Sequence, residues 1–150
     1  MKNIGLIVAA LGLMVMAACG RTEEPAGASA RLPQLPLDPA AVTVSGISAG
    51  GYMAVQFHVA HSALVRGAGI VAAGPYFCAE ASLRHALGRC MQGDEEIPTA
   101  RLLETTSQLG LDGAIDPIAG LADDRVWIFH GAADPVVSTP VVDALEAYYH

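Results

Sequence analysis

The amino-acid sequence predicts an α/β fold, a parallel sheet with flanking helices, and three observations carry that prediction. Short runs rich in β-branched or apolar residues recur at Ala41–Ser45 (AVTVS), Gly67–Ala73 (GAGIVAA) and Arg125–His130 (RVWIFH). Stretches of helical character separate them, and strands alternating with helices make a parallel sheet. At the first change from strand to helix stands a G-x-S-x-G sequence, Gly46-Ile47-Ser48-Ala49-Gly50.

The N-terminus is read apart from the fold. Lys2 forms a short positive region, and Ile4 to Ala18 is an uncharged apolar run ending in small residues. Residues 1–18 are therefore expected to be a secretory signal, too short and wrongly flanked for a spanning helix. Met16-Ala17-Ala18-Cys19-Gly20 resembles a bacterial lipoprotein box. Cys19 is then the lipid anchor and the membrane a partner; the alternative is cleavage nearby that leaves Cys19 a free thiol. Residues 19–39, rich in Pro, Ala, Glu and Ser, read as a flexible tether. Residues 40–150 remain for the folded domain. Export is the expected localisation, as a periplasmic or outer-membrane lipoprotein or an extracellular protein.

Within the domain, Ala41–Ser45 is the first strand. Met53, Phe57, Ala60 and Leu64 recur at helical spacing and predict one face of the helix that follows. Gly67–Ala73, a continuous apolar run bounded by glycine, predicts a buried strand. Glu80–Arg89 and Thr99–Leu109 read as helices, and Leu111–Asp124 as loop. Arg125–His130 is the third strand, with Trp127 expected inside it. Thr139 is placed as an N-cap and Pro140 at the first helical position of a last helix through Tyr149. The net charge is −7 with no basic cluster, which argues against a nucleic-acid partner.

Three cysteines are present. With Cys19 lipidated, Cys78 and Cys90 are left to form a disulfide in an oxidising compartment. Closing that loop is worth about 3 kcal/mol in the chain-entropy model. The cysteines and scattered histidines lack the usual zinc-ligand spacings, and no metal or organic cofactor is expected.

Ser48 is the candidate nucleophile. A nucleophile elbow needs a strand, a sharp turn with a strained serine, and a helix. Gly46, Ala49, Gly50 and Gly51 supply the small residues such a turn demands. The Ala49 N–H, at the helix N-terminus, is placed to meet a developing oxyanion. The competing reading, a phosphate-binding turn, fits neither common phosphate-loop spacing. Asp134, on the loop after the third strand, has the position and type of a triad acid, which orients a histidine through its Nδ1 proton; a turn-forming Asp-Pro is its plainer reading. None of His58, His61, His85, His130 and His150 stands out as the general base.

The stretches SGISAGGYMAVQFHVAHS, GAGIVAAGPYFCA and FHGAADPVVS together resemble extracellular poly(3-hydroxybutyrate) depolymerases of the single-domain, circularly permuted α/β-hydrolase type. Related polyester and feruloyl-type esterases are similar. The resemblance implies a partial α/β-hydrolase fold whose chain begins at the nucleophile strand, which accounts for a nucleophile so near the N-terminus. It implies Ser48 as nucleophile, the Ala49 N–H as an oxyanion donor and Asp134 as the acid. The implied substrate is a polyester or small ester. The family's histidine lies a few tens of residues beyond the acid in a G-H-x-M-like turn, and the sequence stops before it. Residues 40–150 are therefore expected to be an incomplete catalytic domain, inactive alone. The alternatives are a feruloyl or acetyl esterase or peptidase of this fold, or an inactive lipoprotein.

Overall fold

The computed structural model describes residues 33–150. The expected signal, Cys19 and most of the expected tether lie outside the described residues. The folded body is the unit Leu37–His150.

Three strands, β1 (Val42–Ile47), β2 (Val65–Val71) and β3 (Arg125–Phe129), lie in the order β1-β2-β3. Both pairings are parallel, as the alternation with helices requires. Ile47, Val71 and Phe129 form one row at the carboxyl ends. The ladder then continues for one step: Ser48 N–H donates to the Val71 carbonyl at 2.9 Å and Ala72 N–H to the Phe129 carbonyl at 3.0 Å. Relative to the sequence reading, β2 begins and ends two residues earlier. Its end is set by Ala72, whose φ of 50° leaves the β region.

Helix α1 (Ala49–Ala60) connects β1 to β2. After β2 the chain forms a loop, the short α2 (Leu83–Leu87) and a single π turn (Gly88–Gln92), where a helix through Arg89 was expected. Helix α3 (Thr99–Leu111), a 3₁₀ turn (Ile118–Leu121), β3 and α4 (Thr139–Tyr149) follow in that order. The cap of α4 falls at Ser138, one residue before the position predicted from Thr139-Pro140. Ser138 N–H already donates to the Met91 carbonyl at 2.8 Å, which holds Ser138 extended as a cap must be.

The core lies between the helices and one face of the sheet. Val55 and Val59 of α1, Ile70 of β2, Leu102 of α3, and Val141 and Leu145 of α4 are fully enclosed. Two expectations are corrected. The buried face of α1 is Gly51, Ala54, Val55, His58 and Val59, whereas Met53 and Phe57 are exposed. α1 is apolar nearly all round, so periodicity could not select its face. Trp127 is not buried: it is 59 % exposed, stacked on Phe129 at 5.8 Å. β3 alternates, with Val126 and Ile128 inward, and its other face is bare of any described element.

At the amino end of β3, His58 ties three elements together. Its Nε2 lies 3.1 Å from Asp124 Oδ2 and its Nδ1 3.0 Å from the Tyr149 hydroxyl. Burial pushes the Tyr149 hydroxyl above its ordinary range, with Tyr148 and the Asp124 charge adding to it. A carboxylate only accepts, so His58 presents its Nε2 proton to Asp124.

Candidate active site

The site is assembled at the carboxyl edge of the sheet, where parallel α/β sheets place their ligands. Ser48 sits between β1 and α1 with φ 53° and ψ −123°. An L-residue adopts that backbone at a cost of about 1–3 kcal/mol, held by its surroundings. Its N–H is fixed on Val71 and its carbonyl accepts from Tyr52 N–H at 2.9 Å. Between those two bonds the side chain is thrust out of the sheet edge, and Ser48 is exposed. Ala49 opens α1, so its N–H is among the unpaired amides of the first turn and carries the positive end of the helix dipole.

Small residues make the turn possible. A Cβ on Gly46 would collide with the Gly50 carbonyl and stand 2.8 Å from Gly51 N. One on Gly51 would stand 2.8 Å from the Val71 carbonyl. Gly46 and Gly51 thus bring β1, α1 and β2 into contact beneath the serine.

Asp134 lies on the loop that follows β3, at the same edge and two strands from Ser48. Neighbouring strands are about 4.8 Å apart, so the two strand ends are separated by roughly 10 Å, room for an intervening imidazole. Asp134 Oδ1 accepts the N–H groups of Val136 at 2.8 Å and Val137 at 3.1 Å. The Val136 bond first, then the Val137 bond and the nearby His130, hold its carboxyl below the usual range. It is thus a stiffly held carboxylate whose Oδ2 lies 3.9 Å from His130 Nε2.

The histidines are placed as follows. His130 Nε2 is 2.8 Å from the Val137 carbonyl and closes its own loop. His58 is buried in the knot described above. His61 packs against the Phe57 ring at 4.6 Å. His85 lies 3.7 Å from Glu80, and the exposed His150 lies 3.8 Å from Glu146. Among the described residues, the Ser48 hydroxyl makes no hydrogen bond to any of them.

Beside Ser48 opens a hollow of about 580 Å³, with Phe77 in its lining. The Cys78–Cys90 disulfide is formed, with a Cα separation of 6.0 Å, and runs along its wall. The Tyr52 hydroxyl donates to the Cys90 carbonyl. Burial pushes that hydroxyl up to about 12, against the opposing backbone hydrogen bond at Gly74, so it remains a donor. Tyr76, the neighbour of Phe77, is turned into the core instead. The expected Cys78–Cys90 bridge was the sequence signal for this wall; the contribution of Tyr52 had none beyond its place one turn into α1.

A parallel sheet with an elbow serine at its carboxyl edge defines an α/β-hydrolase-type fold. Comparison with known proteins makes the relationship specific. The chain is 48 % identical over 145 residues to a poly(3-hydroxybutyrate) depolymerase of Delftia acidovorans, covering 96 % of this chain and 29 % of that protein. It is 33 % identical over 121 residues to a polyhydroxybutyrate depolymerase of Talaromyces funiculosus, covering 80 % of this chain and 34 % of that protein. Among solved structures it superposes on a serine-to-alanine PHB depolymerase complexed with an R3HB trimer, with a TM-score of 0.67 and 30 % identity over 79 % of this chain and 36 % of that one. The PHB depolymerase of Penicillium funiculosum gives a TM-score of 0.66 and 30 % identity over 75 % of this chain and 34 % of that one. No family model matches. The close homologues and structural neighbours are thus PHB depolymerases, the family that the motifs resemble, and the chain spans about a third of their length.

Proposed function

We propose that this chain carries the nucleophile and the acid of an exported serine ester hydrolase that cleaves poly(3-hydroxybutyrate) or its oligomers. The observation that carries the reading is Ser48 itself, exposed and at φ 53°, ψ −123° between β1 and α1. The Ser48 Oγ attacks the ester carbonyl carbon, and the negative charge that develops on the carbonyl oxygen meets the Ala49 N–H. Collapse expels the alcohol end of the chain and leaves an acyl-enzyme, which water hydrolyses to free the acid and restore the serine. Asp134 orients the imidazole that takes and returns the proton; that imidazole is assigned to none of the five histidines of this chain. The 48 % identity to the Delftia depolymerase and the likeness to a depolymerase holding an R3HB trimer support the polyester as substrate. Anchoring through Cys19 belongs to the same reading, since a polymer outside the cell calls for an enzyme outside it.

The test uses the protein expressed from its complete gene. Ser48→Ala is expected to lower turnover of 3-hydroxybutyrate oligomers by about 10⁶-fold and to abolish labelling by a fluorophosphonate. Ser45→Ala, on the bare sheet face, is expected to retain both. Equal losses from the two substitutions would place the nucleophile elsewhere.

A further inference from the structure

Asp134 is carried by a loop with little stiffness of its own. Gly131, Ala132 and Ala133 separate it from His130, and all three are exposed. Within that stretch the backbone makes one turn, with Asp134 N–H donating to the Gly131 carbonyl at 2.9 Å. The carboxylate is nevertheless fixed, and the fixing runs through Val137. This residue is buried and both of its backbone groups are used. Its N–H donates to Asp134 Oδ1 at 3.1 Å, and its carbonyl lies 2.8 Å from His130 Nε2. A carbonyl only accepts, so the His130 Nε2 carries a proton and donates it. His130 in turn follows the last rung of the sheet, where the Phe129 carbonyl accepts from Ala72 N–H at 3.0 Å. Its side chain is 10 % exposed, so it is packed as well as bonded. Three consecutive bonds thus carry the position of the sheet edge to the acid. Asp134 Oδ1 is spent on the N–H groups of Val136 and Val137. Asp134 Oδ2 makes no hydrogen bond among the described residues and stands 3.9 Å from His130 Nε2, beyond hydrogen-bond reach.

We propose that His130 is a positioning residue for the acid: through Val137 it locks Asp134 with Oδ1 turned to the loop and Oδ2 left for the imidazole that serves Ser48. The proposal rests on the reading of Asp134 as the acid of a serine hydrolase. His130 does not compete for the role of base through Nε2, because a protonated ring nitrogen has no lone pair to offer the serine. Its work is geometric. An acid displaced by about 1 Å holds the imidazole out of line, and a displacement of that size can cost about 100-fold in rate.

The test uses the protein expressed from its complete gene, with 3-hydroxybutyrate trimer as substrate. His130→Ala is expected to lower kcat by about 10- to 100-fold while KM stays within about twofold. Glutamine places an amide N–H at the reach of Nε2, whereas the asparagine amide stops at the reach of Nδ1. His130→Gln is therefore expected to recover most of the loss and His130→Asn to recover none. In an Asp134→Asn background, His130→Ala is expected to cost less than about twofold more, since the carboxylate that it positions is gone. A loss carried by KM, a His130→Gln enzyme no better than His130→Asn, or equal losses from His130→Ala with and without Asp134→Asn would overturn the proposal. The comparison of glutamine with asparagine decides even where the alanine variant does not fold. The acid reading fails separately: an Asp134→Asn enzyme with wild-type turnover would sink it, whatever His130 does.

Discussion

A Cβ on Gly46 has nowhere to go, since the Gly50 carbonyl and the Gly51 amide occupy the space, whereas a Cβ on Gly50 meets nothing within 4 Å. The two glycines of the G-x-S-x-G sequence therefore have different physics. Gly46 is required by the close approach of β1 to the first turn of α1. Gly50 is a glycine inside a helix, where the missing side chain only raises the entropy lost on folding. Gly50→Ala is expected to raise stability by about 0.5–1 kcal/mol, and Gly46→Ala to lower it by about 1–3 kcal/mol through overpacking. Urea unfolding midpoints check both; equal losses would mean that the turn needs Gly50 as well. The sequence alone credited both positions with the same role, because a motif records residue type and not the neighbour that each Cβ would strike.

The segment from Gly74 to Met91 is held as one element by ions as well as by its disulfide. Arg89 is buried, and its guanidinium reaches both the Cys78 carbonyl and Glu80. The hydrogen bond from Arg89, then the charges of Arg101, Arg89 and His85, hold the Glu80 carboxyl below its ordinary range despite partial burial. A carboxylate whose folded pKa is depressed contributes stability that is complete above its unfolded value and is lost as the pH falls through the folded one. Acid unfolding of the wild type is therefore expected to draw partly on Glu80, and Glu80→Gln to flatten the loss of stability below about pH 4. Arg89→Ala is expected to destabilise by about 3 kcal/mol, because it leaves the Cys78 carbonyl without its donor and Glu80 with one arginine, Arg101. Denaturant midpoints at several pH values would show it; an Arg89→Ala protein as stable as the wild type would remove the cluster from the account. The disulfide was legible beforehand; the ion cluster was not. A helix was expected through Arg89, and only the fold brings Arg101 to Glu80, 21 positions away.

At the scale of the molecule, the parallel sheet and the strand–serine–helix junction were readable because both are local: a change of period at Gly46–Gly51 and an apolar run at each strand. The orientation of α1 and the exposure of Trp127 were not. α1 offers apolar residues on nearly every side, and the fate of β3's second face depends on what lies across it. The His58 knot was equally hidden, since its partners stand 66 and 91 positions along the chain. Among the described residues no helix is long and apolar enough to cross a membrane; the attachment proposed above is through Cys19. Detergent phase partitioning is expected to carry the wild type into the detergent phase and to leave Cys19→Ser in the aqueous one; both in the aqueous phase would end the anchor.

The position of Trp127 has a spectroscopic consequence. It is the chain's one tryptophan, and it lies on the bare side of the sheet, parallel to the Phe129 ring at 9°, away from the enclosed core. Intrinsic indole emission from this protein is thus blind to the packing of Val55, Ile70 and Leu145. It is sensitive instead to whatever settles on that sheet face, so a blue shift on binding would report contact there without any label.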